Sequence, residues 1–226
     1  MNLYFLVEGK RSERRLYPAW LATLLPEHRR VENVQDAAIN NYYLISGEGY
    51  PSILGVHLPR AIKDCDSFPA YSHLVLCLDS EETSVQDRLS AVAASFAEHG
   101  GHQLKHASLK VIVQNRCIET WLLGNRSIVT RAPQGELREF INFYDVAAQC
   151  PENMGTPSKE IPHAKFHGQY LRALLRDKHI QYSKTRPGNV AEPHYLAAML
   201  DRVHQYPSHL PTFQAFVDFC KDIRGI

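Results

Sequence analysis

Residues 73–79, His-Leu-Val-Leu-Cys-Leu-Asp, decide the fold, because an apolar run ends abruptly there in a carboxylate. A continuous apolar run, without the alternation of a half-exposed strand, is typical of a strand buried on both faces, and such strands are characteristic of parallel sheets. Residues 3–7, Leu-Tyr-Phe-Leu-Val, have the same character and are followed by Glu8. Both stretches therefore predict inner strands of a mostly parallel sheet.

Segments with helical spacing alternate with predicted strands in the first part of the chain. Two further strands are predicted at 42–45 and 109–113, and helices are predicted at 12–25, 51–64, 84–98 and 118–124. This β-α alternation predicts an α/β fold with a sheet of four or slightly more strands and right-handed crossovers. Beyond about residue 130 the strand signals end, and helices are predicted at 135–149, 164–178, 190–204 and 211–223. We therefore expect an α/β core over residues 1–130, with residues 131–226 as a helical extension packed on it.

The composition restricts the class of protein. The chain has 226 residues and a formal net charge of +1, so the overall charge balance indicates no particular partner. No stretch approaches the roughly 18 apolar residues of a membrane-spanning helix, and the apolar start is too short for a signal peptide. The five cysteines are odd in number, widely spaced and without a C-x-x-C pair. We expect a cytoplasmic protein without membrane contact, disulfides or thiolate-bound zinc.

Carboxylates follow three of the predicted strands. Glu8 follows the first, Asp79 and Glu81 follow the third, and Glu119 lies a few residues beyond the fourth. Because parallel strands end at one edge of a sheet, these side chains are expected to meet, and clustered carboxylates need a cation to neutralise them. Oxygen ligands favour Mg²⁺ or Mn²⁺. Each acid taken alone has an alternative interpretation as a helix N-cap, but the agreement of three strand ends favours a metal site.

The order of these motifs resembles the Toprim domain. The carriers of the resemblance are Val-Glu-Gly-Lys-Arg-Ser-Glu at 7–13, Leu-Asp-Ser-Glu at 78–81, and Arg-Cys-Ile-Glu-Thr-Trp-Leu-Leu at 116–123. Topoisomerases, bacterial primases and OLD-type nucleases share this domain, and the last motif is similar to stand-alone Toprim-like proteins of bacterial defence and mobile elements. The resemblance covers residues 1–125 and implies a Rossmann-like core.

The resemblance also implies roles for individual residues. Glu8 would be the general acid/base or a metal ligand, Asp79 and Glu81 would bind metal, and Glu119 would match the extra carboxylate of the nuclease branch. Two departures stand out: Glu81 replaces the second Asp of the family pattern, and Glu13 comes one residue later than the second acid of the nucleases. The role of Glu13 therefore stays open between metal contact and solvent exposure.

The best candidate surface for nucleic acid lies in residues 151–191, which carry a local excess of four positive charges with interleaved tyrosines. A solvated helix face is the alternative interpretation. By resemblance to OLD-type nucleases, Lys184 is the first choice for the cation that stabilises transition-state charge, with Lys165 and Arg116 as substitutes. His163 and His167 have the i, i+4 spacing of a metal pair, but a third ligand is missing from the pattern.

The sequence thus predicts a metal-dependent nuclease of anti-phage defence or a mobile element. A non-enzymatic nucleic-acid-binding or regulatory subunit and a small-molecule phosphohydrolase are the alternatives. A topoisomerase needs a large breakage-reunion domain and a primase normally needs zinc and helicase-binding modules, so for these 226 residues we expect neither activity. The choice between DNA and RNA, the need for a partner ATPase or reverse transcriptase, and homo-oligomerisation all stay open.

Overall fold

The computed structural model describes residues 1–100 and 104–225. Its centre is an all-parallel five-stranded sheet in the order β2-β3-β1-β4-β5. The strands are β1 (Asn2–Val7), β2 (Arg29–Val31), β3 (Asn41–Ser46), β4 (Tyr71–Asp79) and β5 (Ser108–Gln114). The predicted α/β class and the parallel sheet are confirmed, with β2 as an additional edge strand.

Eight α-helices accompany the sheet in the described part of the chain. They are α1 (Glu13–Leu24), α2 (Leu58–Ser67), α3 (Val85–Glu98), α4 (Ile118–Leu122), α5 (Gly135–Phe143), α6 (His163–Asp177), α7 (Pro193–Gln205) and α8 (Pro211–Arg224). The helix expected at 51–64 starts instead as a π-helical segment, Ile53–His57, before α2. The helix expected at 135–149 already ends at Phe143, because the chain becomes extended at Tyr144.

Strand β1 occupies the middle of the sheet, and all six of its residues are buried. Its neighbours pair with it in parallel register, so that Val7 lies opposite Ser46 of β3 and Cys77 of β4. Successive side chains of a strand point to opposite faces. Phe5 accordingly contacts Tyr17 of α1, whereas the alternate residues of β1 join a cluster with α2 and α3. Helices therefore cover both faces, which explains why the strand sequence is apolar without alternation.

The strand order changes direction beside β1. The chain places β2 and β3 on one side of β1, and β4 and β5 on the other. In open α/β sheets, ligands bind outside the carboxyl ends of the strands at such a switch point. Here that point lies at the ends of β1 and β4, which are marked by Glu8 and Asp79.

Internal contacts divide the protein into two compact units. Unit 1 contains Met1–Leu78, Val85–Val113 and the residues from Val217 onward, and unit 2 contains Asp79–Ser84 and Gln114–Phe216. Each unit is assembled from separate stretches of the chain. The division does not follow the expected boundary at residue 130.

Unit 2 has an aromatic core with an unusual buried cation. The Trp121 ring packs on Phe213 and Phe216. Arg202 is almost fully buried and donates hydrogen bonds to the carbonyl oxygens of Gly124, Val146 and Gln149, at 3.2, 2.8 and 2.7 Å. Burial lowers the pKa of Arg202 to about 10, so the guanidinium stays charged at neutral pH.

All five cysteines are free thiols and buried. Burial raises the pKa of Cys65 and of Cys77 to about 12. None of the helices within residues 1–100 and 104–225 combines the length and apolar character needed to cross a membrane.

Candidate active site

Two loops that follow β4 and β5 form the backbone frame of the candidate site in unit 2. The Ser80 N–H donates to the Gln114 carbonyl, and the Glu81 N–H donates to the Arg116 carbonyl, at 3.0 and 2.9 Å. The buried Ser80 hydroxyl also accepts the Arg116 N–H at 2.9 Å. Hydrogen bonding thus continues past the strands and holds the two loops side by side.

Arg116 and Glu81 both have left-handed backbones, with φ of 72° and 51°. Such a conformation is costly for residues other than glycine and persists only where neighbouring structure enforces it. The Arg116 guanidinium donates to the carbonyl oxygens of Glu81 and Thr83. Arg116, a substitute candidate for the catalytic cation, therefore holds the loop that carries Glu81, whose own side chain is exposed.

Glu119 lies in the short helix α4 and is 1% exposed. The turn begins at Cys117, whose backbone N–H donates to the Thr120 hydroxyl. Trp121 and Leu122 are fully buried, so that the apolar side of the turn faces the core. The local pattern of apolar residues around a single acid thus places a carboxylate in the interior.

Lys184 and Tyr182 meet the Glu119 carboxylate from the loop after α6. Tyr182 Oη donates to Glu119 Oε1 at 3.1 Å, and Lys184 Nζ lies 3.5 Å from the same oxygen. Within the described residues, Glu119 Oε2 has no hydrogen-bond partner. The Lys184 side chain is 56% exposed, so its ammonium group combines contact with a buried acid and access to solvent. Two of the sequence-predicted residues, Glu119 and Lys184, are therefore brought together.

Asp79 belongs to the same unit and is half-buried at the end of β4. Burial, and then the charges of Glu119 and Asp79, raise the pKa of the Cys117 thiol well above its ordinary value. Both carboxylates therefore act on one buried group at the base of the site. The Cys117 thiol stays protonated and is unsuited to be a nucleophile.

Glu8 and Glu13 form a second pair of buried acids, in unit 1. The Glu8 N–H donates to the Cys77 carbonyl, so β1 continues its pairing with β4 for one residue. Glu8 Oε1 accepts the Tyr50 N–H at 3.2 Å from the turn that follows β3. Glu13 lies against Gly9, where an added Cβ would overlap its carboxyl group. Glu13 is thus buried rather than solvent-exposed.

His163 and His167 are each engaged in a separate structural contact. His167 is fully buried and bonds Thr120 Oγ1 through Nδ1 at 2.7 Å and the Met154 carbonyl through Nε2 at 3.2 Å. Burial lowers the pKa of His167 to about 4, and the neutral ring therefore accepts from Thr120 and donates to Met154. His163, at the start of α6, pairs with Glu82 through its ring and its backbone N–H. The two histidines thus anchor the start of α6 to its neighbours through separate hydrogen bonds.

The sequence predictions missed three features of this region: the burial of Glu13, the hydroxyl of Tyr182 on Glu119, and the position of Arg172. A Cβ built on Gly168 would lie 3.7 Å from Arg172 Nη1 and 3.9 Å from Glu119 Cγ. Arg172 therefore lies beside Glu119. No local pattern in the sequence signals this contact, because Glu119 lies on a different helix.

The described side chains do not by themselves surround a metal ion. Among residues 1–100 and 104–225, no three His, Cys, Asp or Glu side chains lie close enough together to form a ready-made metal centre. Mg²⁺, however, commonly binds one or two carboxylates and completes its shell with water and substrate phosphate oxygens. The buried Glu119 Oε2 fits such an ion as a single oxygen ligand.

A scan against protein-family models, a search of curated proteins and a search of solved structures each found no match for this chain.

Proposed function

We propose that this chain is a divalent-metal-dependent phosphodiesterase that hydrolyses nucleic acid. The observation that carries the proposal is the buried Glu119 carboxylate, which has a lysine and a tyrosine at one oxygen and no hydrogen-bond partner for the other within the described residues. A buried polar atom without a partner costs about 1–3 kcal/mol, and such atoms in native proteins call for an explanation. A cation or a reacting group that binds there supplies one.

Glu152 provides the contrast within the same unit. It is also a buried carboxylate, but both of its oxygens accept N–H or O–H groups at the start of α8, from Thr212 and Phe213. That pattern is what a structural acid requires. Glu119 departs from it, because Tyr182 and Lys184 both lie at Oε1, and Oε2 has no hydrogen-bond partner among the described residues. The difference favours a ligand-binding role for Glu119.

The chemistry proposed is hydrolysis of a phosphodiester. Mg²⁺ or Mn²⁺ would be held by Asp79 and Glu119, with Glu81 as a further ligand, and would polarise the phosphate. Lys184 Nζ would donate to a non-bridging phosphate oxygen and stabilise its developing charge. By the resemblance to Toprim-like nucleases, Glu8 would bind metal or move the proton of the attacking water. This assignment agrees with the resemblance to Toprim-like nucleases, and a place in anti-phage defence or a mobile element is part of the same proposal.

The test is cleavage of labelled single- and double-stranded DNA and RNA by the full chain, with Mn²⁺, with Mg²⁺ and with chelator. We expect Asp79→Ala to reduce cleavage to the level of the chelated sample, and Lys184→Ala to reduce it about 10²–10³-fold, as for one lost charge-stabilising donor. Glu160→Gln removes an exposed acid of the same unit and should leave the rate unchanged. Circular dichroism of each variant checks the fold.

Binding of Mn²⁺ is measured separately by calorimetry. Glu119→Gln, which keeps the shape of the side chain, should weaken binding, whereas Lys184→Ala should not. Failure of the unaltered chain both to cleave every substrate and to bind Mn²⁺ would refute the proposal and favour a non-enzymatic, nucleic-acid-binding subunit.

A further inference from the structure

A shallow cationic pocket of about 240 Å³ lies in unit 2 beside the Glu119 site. It is lined by Arg172, Arg176, Ile180, Gln181 and Tyr182. The two arginines are one helical turn apart on α6, and both are exposed. None of the described residues that line the pocket is acidic. The pocket therefore combines the exposed side chains of Arg172, Arg176 and Gln181 with the half-buried side chain of Tyr182.

Tyr182 connects this pocket to the candidate active site. Its side chain lines the pocket, while its hydroxyl donates to Glu119 Oε1 at 3.1 Å. Arg172 approaches the same region from α6, since both its guanidinium and Glu119 Cγ lie within 4 Å of the position of a Cβ on Gly168. The pocket thus borders the cluster of Glu119 and Lys184 and shares the tyrosine with it.

The two guanidinium groups on α6 carry like charges at i, i+4 spacing. Two like charges at i, i+4 destabilise a helix by about 0.2–0.5 kcal/mol. Arg176 Nη1 lies 3.9 Å from Glu136, but both side chains are largely exposed, so this ion pair contributes little. Guanidinium groups bind phosphate through paired N–H donors, and a phosphate between Arg172 and Arg176 would turn the repulsion into attraction.

We infer that this pocket is a subsite for a backbone phosphate of the nucleic acid, next to the phosphodiester at Lys184 and Glu119; the inference rests on the proposed function. The volume is below the 300–1,000 Å³ typical of pockets that enclose a small organic ligand. It suits a phosphate group with the adjoining base stacked on the tyrosine ring. The ligand is therefore a polynucleotide that passes over the pocket.

The test measures binding in the absence of cleavage. Fluorescence anisotropy with a labelled 12-nucleotide single-stranded DNA and the same RNA, in chelator, gives the Kd of the full chain as a function of salt. Arg172→Ala and Arg176→Ala should each weaken binding about five-fold at 0.1 M salt and lower the salt slope by about 0.7, as for one lost phosphate contact. Arg131→Ala, which removes an exposed arginine of the same unit outside both the pocket and residues 151–191, is the matched control.

Cleavage kinetics separate the subsite from the chemistry. The arginine variants should raise KM and leave kcat nearly unchanged, whereas Lys184→Ala should lower kcat. Weaker oligonucleotide binding by the arginine variants, with neither cleavage nor Mn²⁺ binding by the unaltered chain, would support the subsite and reject the hydrolytic function. Arginine variants that bind and cleave like Arg131→Ala, or an unaltered chain that binds neither oligonucleotide, would overturn the inference.

Discussion

Gly9 is a position where a single added methyl group would meet a buried side chain. A Cβ there would overlap the buried Glu13 carboxyl group, which must then move out of its place. We expect Gly9→Ala to lower the free energy of unfolding by about 1–3 kcal/mol, the usual cost of overpacking, as measured by urea denaturation. Gly55→Ala is the control, because open space surrounds that position.

A double-mutant cycle tests the cause. If the carboxyl group of Glu13 is the obstacle, Gly9→Ala combined with Glu13→Ala should cost less than the sum of the two single changes. Strictly additive costs would show that the clash is not the reason for glycine at this position.

Glu152 should make the stability of the protein depend on pH. Burial raises its pKa to about 7, from an ordinary value of 4.5, so the folded state binds the proton more tightly than the unfolded state. Its contribution to the free energy of unfolding is therefore fully present below pH 4.5 and is lost as the pH rises through 7, by up to about 3 kcal/mol. Urea unfolding between pH 4 and 8 should show this loss in the unaltered chain relative to Glu152→Gln.

His167 changes the free energy of unfolding with pH in the opposite direction. Because it is present in both the unaltered chain and Glu152→Gln, its contribution cancels when the two are compared. Because its pKa is lowered to about 4, it contributes stability above pH 6.5 that is lost as the pH falls toward 4. Equal slopes for the unaltered chain and Glu152→Gln would mean that Glu152 titrates as an exposed acid.

Buried ionisable residues limit what a sequence pattern reveals about a site. Glu8 and Asp79 could be singled out because each directly follows a buried apolar strand, and the topology does put them at the ends of neighbouring strands. Glu13 lies on the first turn of a helix, where an acid is normally solvated. Its burial depends on the close approach of Gly9, a three-dimensional fact that has no periodic signal.

Arg202 acts at the level of elements, since it joins α7 to the segment after α4 and to the loop after α5. Arg202→Met should lower the free energy of unfolding by about 2–6 kcal/mol, because the carbonyl groups of the buried Gly124 and Val146 each lose a donor at about 1–3 kcal/mol, and the carbonyl of the exposed Gln149 loses one at a smaller cost. Arg202→Lys should be intermediate, since an ammonium group has three donors in place of five. Chemical denaturation followed by tryptophan fluorescence measures both variants.

Arg138→Met is the comparison, because that exposed arginine contacts a single carbonyl, of Pro133. If Arg138→Met lowered the free energy of unfolding as much as Arg202→Met, the carbonyl contacts of Arg202 would not be the source of the stability.

Element by element, the sequence was informative where periodicity was strong. β1, β4 and α3 were located to within about two residues, because they are apolar or amphipathic along their whole length. β2 was missed, since its three residues, Arg-Arg-Val, have no apolar pattern and pair only along β3 at the sheet edge. The meeting of Lys184 with Glu119, 65 residues away, depends on how the loop after α6 returns, and no local signal encodes it.

At the scale of the whole molecule, the C-terminal half of α8 completes unit 1. Four of its side chains are buried there, Val217, Phe219, Cys220 and Ile223, and Phe219 packs edge-on against His73 of β4. Truncation after Phe216 should remove cooperative unfolding, because loss of one buried aromatic side chain alone costs about 3–5 kcal/mol. Thermal denaturation followed by circular dichroism measures the loss.

A chain ended after Arg224 keeps all four buried residues and should unfold like the unaltered protein. The same reasoning predicts that a fragment of residues 1–130 does not fold by itself, although its composition resembles a complete α/β domain. A cooperative transition in the chain ended after Phe216, or in the fragment of residues 1–130, would show that the α8 segment is dispensable.

The five buried thiols give the protein an internal set of reporters. A thiol shielded from solvent is alkylated only when its surroundings open, so the rate of modification measures the frequency of opening. Cys65, Cys77 and Cys220 sample unit 1, and Cys117 and Cys150 sample unit 2. Mass spectrometry of partly alkylated protein would therefore time the openings of the two halves independently in one sample, without any introduced label.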